Sequence, residues 1–362
     1  MSETSKRPQV RADVALMAGY HSPQLDVAVR LNTNEAPEPP PAEFIDRLTA
    51  DIAAVEWHRY PDRGATALRT RIAEVEGFDL DQIFAANGSN EVLQTVCLTY
   101  GGSGRRALVF EPTYALHAHI AKVCGTEVVE RERNEDFTVD ADLAVAAVEA
   151  TRPALTFLCS PNNPTGMVEP RHTVERVLAA VESVGGLLVV DEAYGQFAAE
   201  SALSLISEDS SLVVTRTFSK TWSMAAARLG YLVGPSWVVT ELHKVVLPYH
   251  LDAAKQVAGL IALDFVDEME RRVAWLVEER GRVAARLAEL PVTQWPSGAN
   301  FILFRPDGVD GDAVWQQLVD RSILVRNCSS WPRLDGCLRL TLGTTEENDS
   351  FLTALSEILG NP

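Results

Sequence analysis

The chain has 362 residues, 46% hydrophobic and 23% charged, which places it among ordinary globular proteins with enough length for a large core and a smaller companion domain. Its formal net charge of -18 argues against a nucleic-acid partner, since phosphate backbones are bound by Lys and Arg clusters that this sequence lacks. No apolar run reaches membrane-spanning length, the start "MSETSKRPQVRADVAL" has no signal-peptide core, and the five scattered cysteines form no C-x-x-C pair, so we expect a cytoplasmic protein with reduced thiols and no metal site.

In chain order, the first forty residues are proline-rich and read as an irregular arm (1–41). Pro37, Pro39, Pro40 and Pro41 forbid a helix until about Ala42. From there, short apolar runs alternate with amphipathic stretches. Strands are predicted at "ALVF" (107–110), "EVVE" (127–130), "LTFLCS" (155–160), "LLVVDE" (187–192), "LVVTRTF" (212–218) and "LGYLVG" (229–234). Helical patterns such as "EVLQTVCLTY" and "HTVERVLAAVESVG" separate them. Strands apolar on both faces and spaced by helices predict an α/β domain (42–248) with a mostly parallel central sheet. Ligands of such sheets bind where the strands end. After about Pro248 comes a long charged helix, "DEMERRVAWLVEERGRVAARLAEL", ended by Pro291. Strand candidates "NFILFR" and "CLRLTLG" and a terminal helix follow, which predicts a smaller α+β domain (249–362).

The polar positions gather at the predicted strand ends. "NGSNE" (87–91) is either a turn whose Ser89 or Asn90 caps the next helix or an anion site at a helix N-terminus. "SPNNPTG" (160–166) is ordinary turn chemistry or a loop that aims Asn163, with Asn163-Pro164 a candidate cis bond. Asp191 follows four apolar residues, so its carboxylate emerges at a buried strand end and needs a cationic partner. Tyr194 can reach the same space. Lys220 lies one strand further, between Ser219 and Thr221, in a chain with lysine at only five positions, and Arg228 follows eight residues later. A lone lysine is usually a solvated side chain. Pyridoxal phosphate chemistry, however, uses all these pieces: a lysine anchor and an acid on the pyridine nitrogen.

The order NGSNE, PTY, SPNNPTG, DEAY, SK-x7-R and a late LRLTLG resembles the fold type I, class I/II pyridoxal-phosphate aminotransferases, from about Tyr20 to the C-terminus. The resemblance implies Lys220 as covalent anchor and proton shuttle, and Asp191 as partner of the ring nitrogen. Tyr194 and Asn163 would hold the ring's phenolic oxygen, and Tyr114 would stack on its face. Ser89, Asn90, Ser219 and Arg228 would hold the cofactor phosphate. Tyr60 matches a tyrosine that reaches that phosphate from the neighbouring subunit, which implies a homodimer with shared sites. Arg339 would clamp a substrate carboxylate, a task suited to a bidentate guanidinium.

Within that superfamily, "GYHSPQ", "VRLNTNEAP", "RYPD", "RTFSK" and "ILVRNCSSW" are most similar to the histidinol-phosphate aminotransferases of histidine biosynthesis. That likeness implies that Tyr20, Asn34 and Arg326 join Arg339 around the substrate, with Tyr20 and Arg326 at its phosphate end, and that amino groups pass between histidinol phosphate and 2-oxoglutarate. An aromatic (phenylalanine) aminotransferase and a threonine-phosphate decarboxylase share many of these motifs and are the alternatives; a non-catalytic module with this fold would be expected to have lost Lys220 or Asp191. Two features depart from the family pattern. Asn90 stands where aspartate is usual, and "TWSMAAARLG" replaces "AFGLAGLRLG", losing two glycines beside the anchor lysine.

Overall fold

The computed structural model describes residues 8–15, 17, 19 and 24–360. Strands β1 (Val29–Leu31), β2 (Ile83–Ala86), β3 (Arg106–Glu111) and β4 (Glu127–Glu132) come first. Next are β5 (Leu155–Cys159), β6 (Leu187–Asp191), β7 (Leu212–Thr217) and β8 (Gly230–Val233). The C-terminal part adds β9 (Val292–Gln294), β10 (Phe301–Pro306), β11 (Ile323–Asn327) and β12 (Leu338–Thr341).

Seven strands form one sheet in the order β2-β8-β7-β6-β5-β3-β4. Only β8 runs against the others, being antiparallel to both β7 and β2. The mostly parallel α/β sheet expected from the sequence is therefore present. Its central strands are buried on both faces because their alternate residues serve two cores. Val189 and Val213 pack in the cluster with Phe84, Val109 and Phe157, whereas Leu188, Val190 and Val214 join Leu108, Leu158 and Val177 on the other side.

A second sheet has the order β1-β11-β12-β10-β9. It packs Phe301, Phe304 and Leu340 against Leu276, Val283 and Leu287 of the 22-residue helix Val266–Leu287. β1 belongs to the proline-rich segment read as irregular, and it pairs in parallel with β11. Three residues carry too little pattern to be seen as a strand alone. The proline run ends as the sequence dictates: Pro41 sits at the N-cap of the helix Ala42–Ala53. No helix among the described residues is long and apolar enough to cross a membrane.

Candidate active site

The parallel strands β5, β6 and β7 end at Cys159, Asp191 and Thr217, and all three residues line one cavity of about 380 Å³. This is where open α/β sheets bind ligands. The opposite wall comes from the second sheet, through Arg326 on β11 and Arg339 on β12. Between them the cavity is lined by Ser89, Asn90, Tyr114, Asn163, Tyr194, Ser219, Lys220 and Arg228, together with Asn34. Of the residues singled out from sequence, Tyr20 lies outside the described residues. Tyr60 is apart from the cavity: it is 80% exposed and stacks on Tyr249 with ring centroids 4.5 Å apart.

Asp191 is 1% exposed. The partner that Asp191 meets within the chain is His117, whose Nε2 is 2.8 Å from Asp191 Oδ2. With Asp191 ionised the shared proton sits on Nε2, because a carboxylate only accepts. The other oxygen accepts from the Ala193 amide at 3.0 Å and from Thr215 Oγ1 at 3.3 Å. The His117 ring stacks on Phe157 and meets Tyr114 edge-on, and its buried Nδ1 has no hydrogen-bond partner. Sequence reading passed over His117. Its only signal was a histidine three residues after Tyr114, one helical turn away, and its partner lies 74 residues on.

Lys220 donates from Nζ to the Thr33 carbonyl at 2.9 Å. Burial lowers its amine to a pKa of about 7; the charges of Arg339 and Arg228 push the same way and Glu35 opposes them. The side chain is therefore substantially neutral near physiological pH. Tyr194 moves the opposite way: burial raises its phenol to about 12, so it stays protonated, and its oxygen accepts from Asn34 Nδ2 at 2.8 Å. Asn34 is held in turn by Thr341, with Oγ1 donating to Asn34 Oδ1 at 2.9 Å.

The helix Gly88–Tyr100 begins at the cavity. Neither Ser89 nor Asn90 caps it. Asn87 occupies the cap without a side-chain cap bond, so Ser89 and Asn90 lie in the first turn, where backbone N–H groups lack intrahelical acceptors. Two glycines allow the close approach. A Cβ on Gly88, whose φ is +79°, would lie 3.0 Å from Arg228 Nη2, and one on Gly230 of β8 would lie 2.4 Å from the Ser89 nitrogen. Arg228 Nη1 reaches Ser219 Oγ at 3.4 Å. Helix dipole, free amides, hydroxyl and guanidinium thus converge in a cup suited to a phosphate. Tyr114 is tethered beside it by a hydrogen bond from its hydroxyl to Asn90 Oδ1 at 3.2 Å.

On the other wall, Arg326 and Arg339 are direct cross-strand partners in the antiparallel β11–β12 pair. Arg326 lies over the Trp331 ring, 5.0 Å from its centroid, and Arg339 over Phe301 at 5.1 Å. Arg339 Nη2 donates to the Asn32 carbonyl at 2.9 Å and Nη1 to Asn163 Oδ1, while its buried Nε has no partner. The Asn163-Pro164 bond is cis, the candidate noted from sequence.

Comparison with known proteins fits this geometry. The chain is 43% identical over 360 residues to a histidinol-phosphate aminotransferase of Mycobacterium sp. (strain JLS), covering 97% of this chain and 94% of that one. It is 44% identical to that of Frankia casuarinae over 355 residues, 95% of this chain and 88% of the other. The histidinol-phosphate aminotransferase of Sinorhizobium meliloti, solved in complex with pyridoxal-5'-phosphate, superposes with a TM-score of 0.89, covers 99% of each chain and shares 21% identity, a likeness of fold. A model of the class I and II aminotransferases matches residues 27–355. Lysine, carboxylate and anion cup at the sheet ends, arginines opposite, and this run of matched sequence lead to one conclusion: the chain belongs to the class I and II aminotransferase family.

Proposed function

We propose that the protein transfers an amino group between L-histidinol phosphate and 2-oxoglutarate, using pyridoxal phosphate held in the cavity described above. The observation that carries the substrate reading is the pair Arg326 and Arg339, facing each other in register on adjacent strands. Like charges directly opposite destabilise a sheet unless something compensates, and a phosphate dianion does so. The names borne by the 43% identical relatives point to the same substrate.

The residues fit the cofactor. The anion cup at Ser89 and Asn90, completed by Ser219 and Arg228, would hold its phosphate. Asp191, aimed by His117 and Thr215, would face the ring nitrogen and favour a proton there. Tyr114 would cover the ring face. The protonated Tyr194 phenol would donate to the ring oxygen, supported by Asn163, with Asn34 setting its orientation. When bound, pyridoxal phosphate supplies an aldehyde that captures the amine covalently and a ring that accepts electrons from the substrate Cα.

Lys220 does the proton work. With a pKa near 7 its Nζ has the lone pair that would anchor the cofactor and that would accept and return the proton at the substrate Cα. Arg339 and Arg326 would grip the anionic arm and fix which Cα bond faces Lys220, with Tyr20 a further ligand of the phosphate end. The two half-reactions alternate in one site.

Tyr60 completes the phosphate cup of a second subunit, so the working form is a homodimer with shared sites, and the cytoplasm is where it acts. We divide the chain into an arm (1–41), a large cofactor-binding domain (42–248) and a small domain (249–362). The test is a half-reaction: cofactor-loaded protein is mixed separately with L-histidinol phosphate, L-phenylalanine and L-threonine phosphate, and conversion of the cofactor absorption band is followed. Fast conversion by histidinol phosphate alone supports the assignment. Preference for phenylalanine, or carbon dioxide release from threonine phosphate, overturns the substrate. Mixing inactive Lys220→Ala with a Tyr60→Ala variant tests the shared site, because only a mixed dimer can assemble one intact centre.

A further inference from the structure

We infer that Glu35 reads the substrate's ring: its carboxylate accepts the N–H of an imidazole carried on the arm opposite the phosphate. The inference rests on the histidinol-phosphate reading above and names the residue that discriminates its ring. Four basic side chains line the cavity, Lys220, Arg228, Arg326 and Arg339, and two acidic ones, Asp191 and Glu35. Five of the six have work in the reaction already described. Glu35 is the charge left over.

Its surroundings leave it available for a ligand. Oε2 accepts from Thr33 Oγ1 at 2.8 Å, and Oε1 meets no donor among the described residues. The backbone beneath it is anchored: Asn300 Nδ2 reaches the carbonyls of Asn34 at 3.3 Å and Glu35 at 3.4 Å. Glu35 also follows Asn34, which is fixed on the Tyr194 hydroxyl, so the carboxylate projects from a segment that forms part of the reacting centre. Its charge is felt at Lys220, where it favours the protonated amine.

The chemistry of the substrate supplies the other half of the argument. In L-histidinol phosphate the carbon bearing the amine carries a phosphate ester on one arm and an imidazole on the other. With the phosphate on the two arginines and the amine at Lys220, the ring N–H is the remaining donor that needs an acceptor inside a closing site. A carboxylate provides a charge-assisted bond. A benzyl group in the same place offers no donor and would cover part of that carboxylate without giving a hydrogen bond in return. Sites that hydrogen-bond a substrate N–H reject the analogue lacking it far more strongly than apolar pockets reject a change of shape.

Two probes that cannot react isolate this contact: 3-(imidazol-4-yl)propyl phosphate and 3-phenylpropyl phosphate, which lack the amine and differ in the ring. Their Kd values are measured by calorimetry on the cofactor-loaded wild type and on E35A, whose site is at an exposed rim. We expect the wild type to prefer the imidazole probe by about tenfold or more. E35A should bring the two within about twofold, mainly by weakening the imidazole probe. A wild type that prefers imidazole while E35A keeps the full preference overturns the role of Glu35 and leaves the proposed function standing. A wild type without preference, or without affinity for either phosphate, removes the substrate reading and this inference with it.

Discussion

On the wall formed by the ends of β5, β6 and β7, polar groups find partners within the chain. Asp191 has His117, Ala193 and Thr215, and the Tyr194 hydroxyl has Asn34. On the wall formed by β11 and β12, two guanidiniums stand opposite each other, and the buried Nε of Arg339 has no partner. The first wall is organised before any ligand arrives, as electrostatic preorganisation requires. The second gathers two guanidiniums in register, with a donor of Arg339 left over for an incoming anion. A resident cofactor and a visiting substrate call for these different designs.

The largest effect should come from the one cation on the finished wall that burial penalises. Lys220→Met should lower kcat by at least about 10⁴-fold. It should also stabilise the cofactor-free protein. The folded-state pKa of about 7 lies below the ordinary lysine value of 10.5, so the unfolded chain binds more protons between these limits. The penalty from Lys220 is therefore full below about pH 7 and fades as pH rises toward 10.5. Thermal unfolding of the variant against wild type should show its greatest gain at pH 6 and almost none at pH 10.5; a gain independent of pH would mean that the amine is not the cause.

Arg326→Ala probes the unfinished wall. Its KM for histidinol phosphate should rise roughly 30- to 100-fold, as for loss of a charge-assisted pair, while phenylalanine turnover changes by less than about threefold. Equal losses on both substrates would erase the distinction between the walls. His117→Phe keeps the ring stack on Phe157 but leaves Asp191 Oδ2 without its partner. We expect about a tenfold loss in kcat and a stability cost of about 1–3 kcal/mol, read by denaturant unfolding. The smallest effect concerns the loop after Lys220. Ser223 has φ 54°, a left-handed conformation, at one of the two glycine positions of the usual family pattern. Ser223→Gly should stabilise by about 0.5–1 kcal/mol in the same assay, with kcat little changed.

Much of the finished wall was legible because its residues sit at the ends of apolar β-branched runs, where a polar residue stands out. Asp191 and Lys220 stand out in that way. What escaped depends on distance along the chain. His117 looks like any polar residue of a short helix until β6 brings Asp191 beside it. The strand Ile83–Ala86 was missed because four residues, half of them alanine, carry little β signal. The opposition of Arg326 and Arg339 is a matter of strand register, which neither arginine's local sequence encodes. The need of Asp191 for a partner was legible, but no local pattern names His117 as the residue beside it.

Gly230 bears on how this site can change over generations. Its missing side chain is what lets β8 lie against the nitrogen of Ser89, since a methyl there would fall 2.4 Å from that atom and 2.6 Å from the Gly88 carbonyl carbon. Both obstacles are backbone, which cannot step aside as a flexible side chain does. Variation at the substrate rim, at Glu35 or Ala226, can retune what the enzyme accepts one step at a time. No such gradual path exists through Gly230: any larger residue would displace the helix start and the phosphate with it, so mutational drift can explore new substrates while the cofactor seat stays locked.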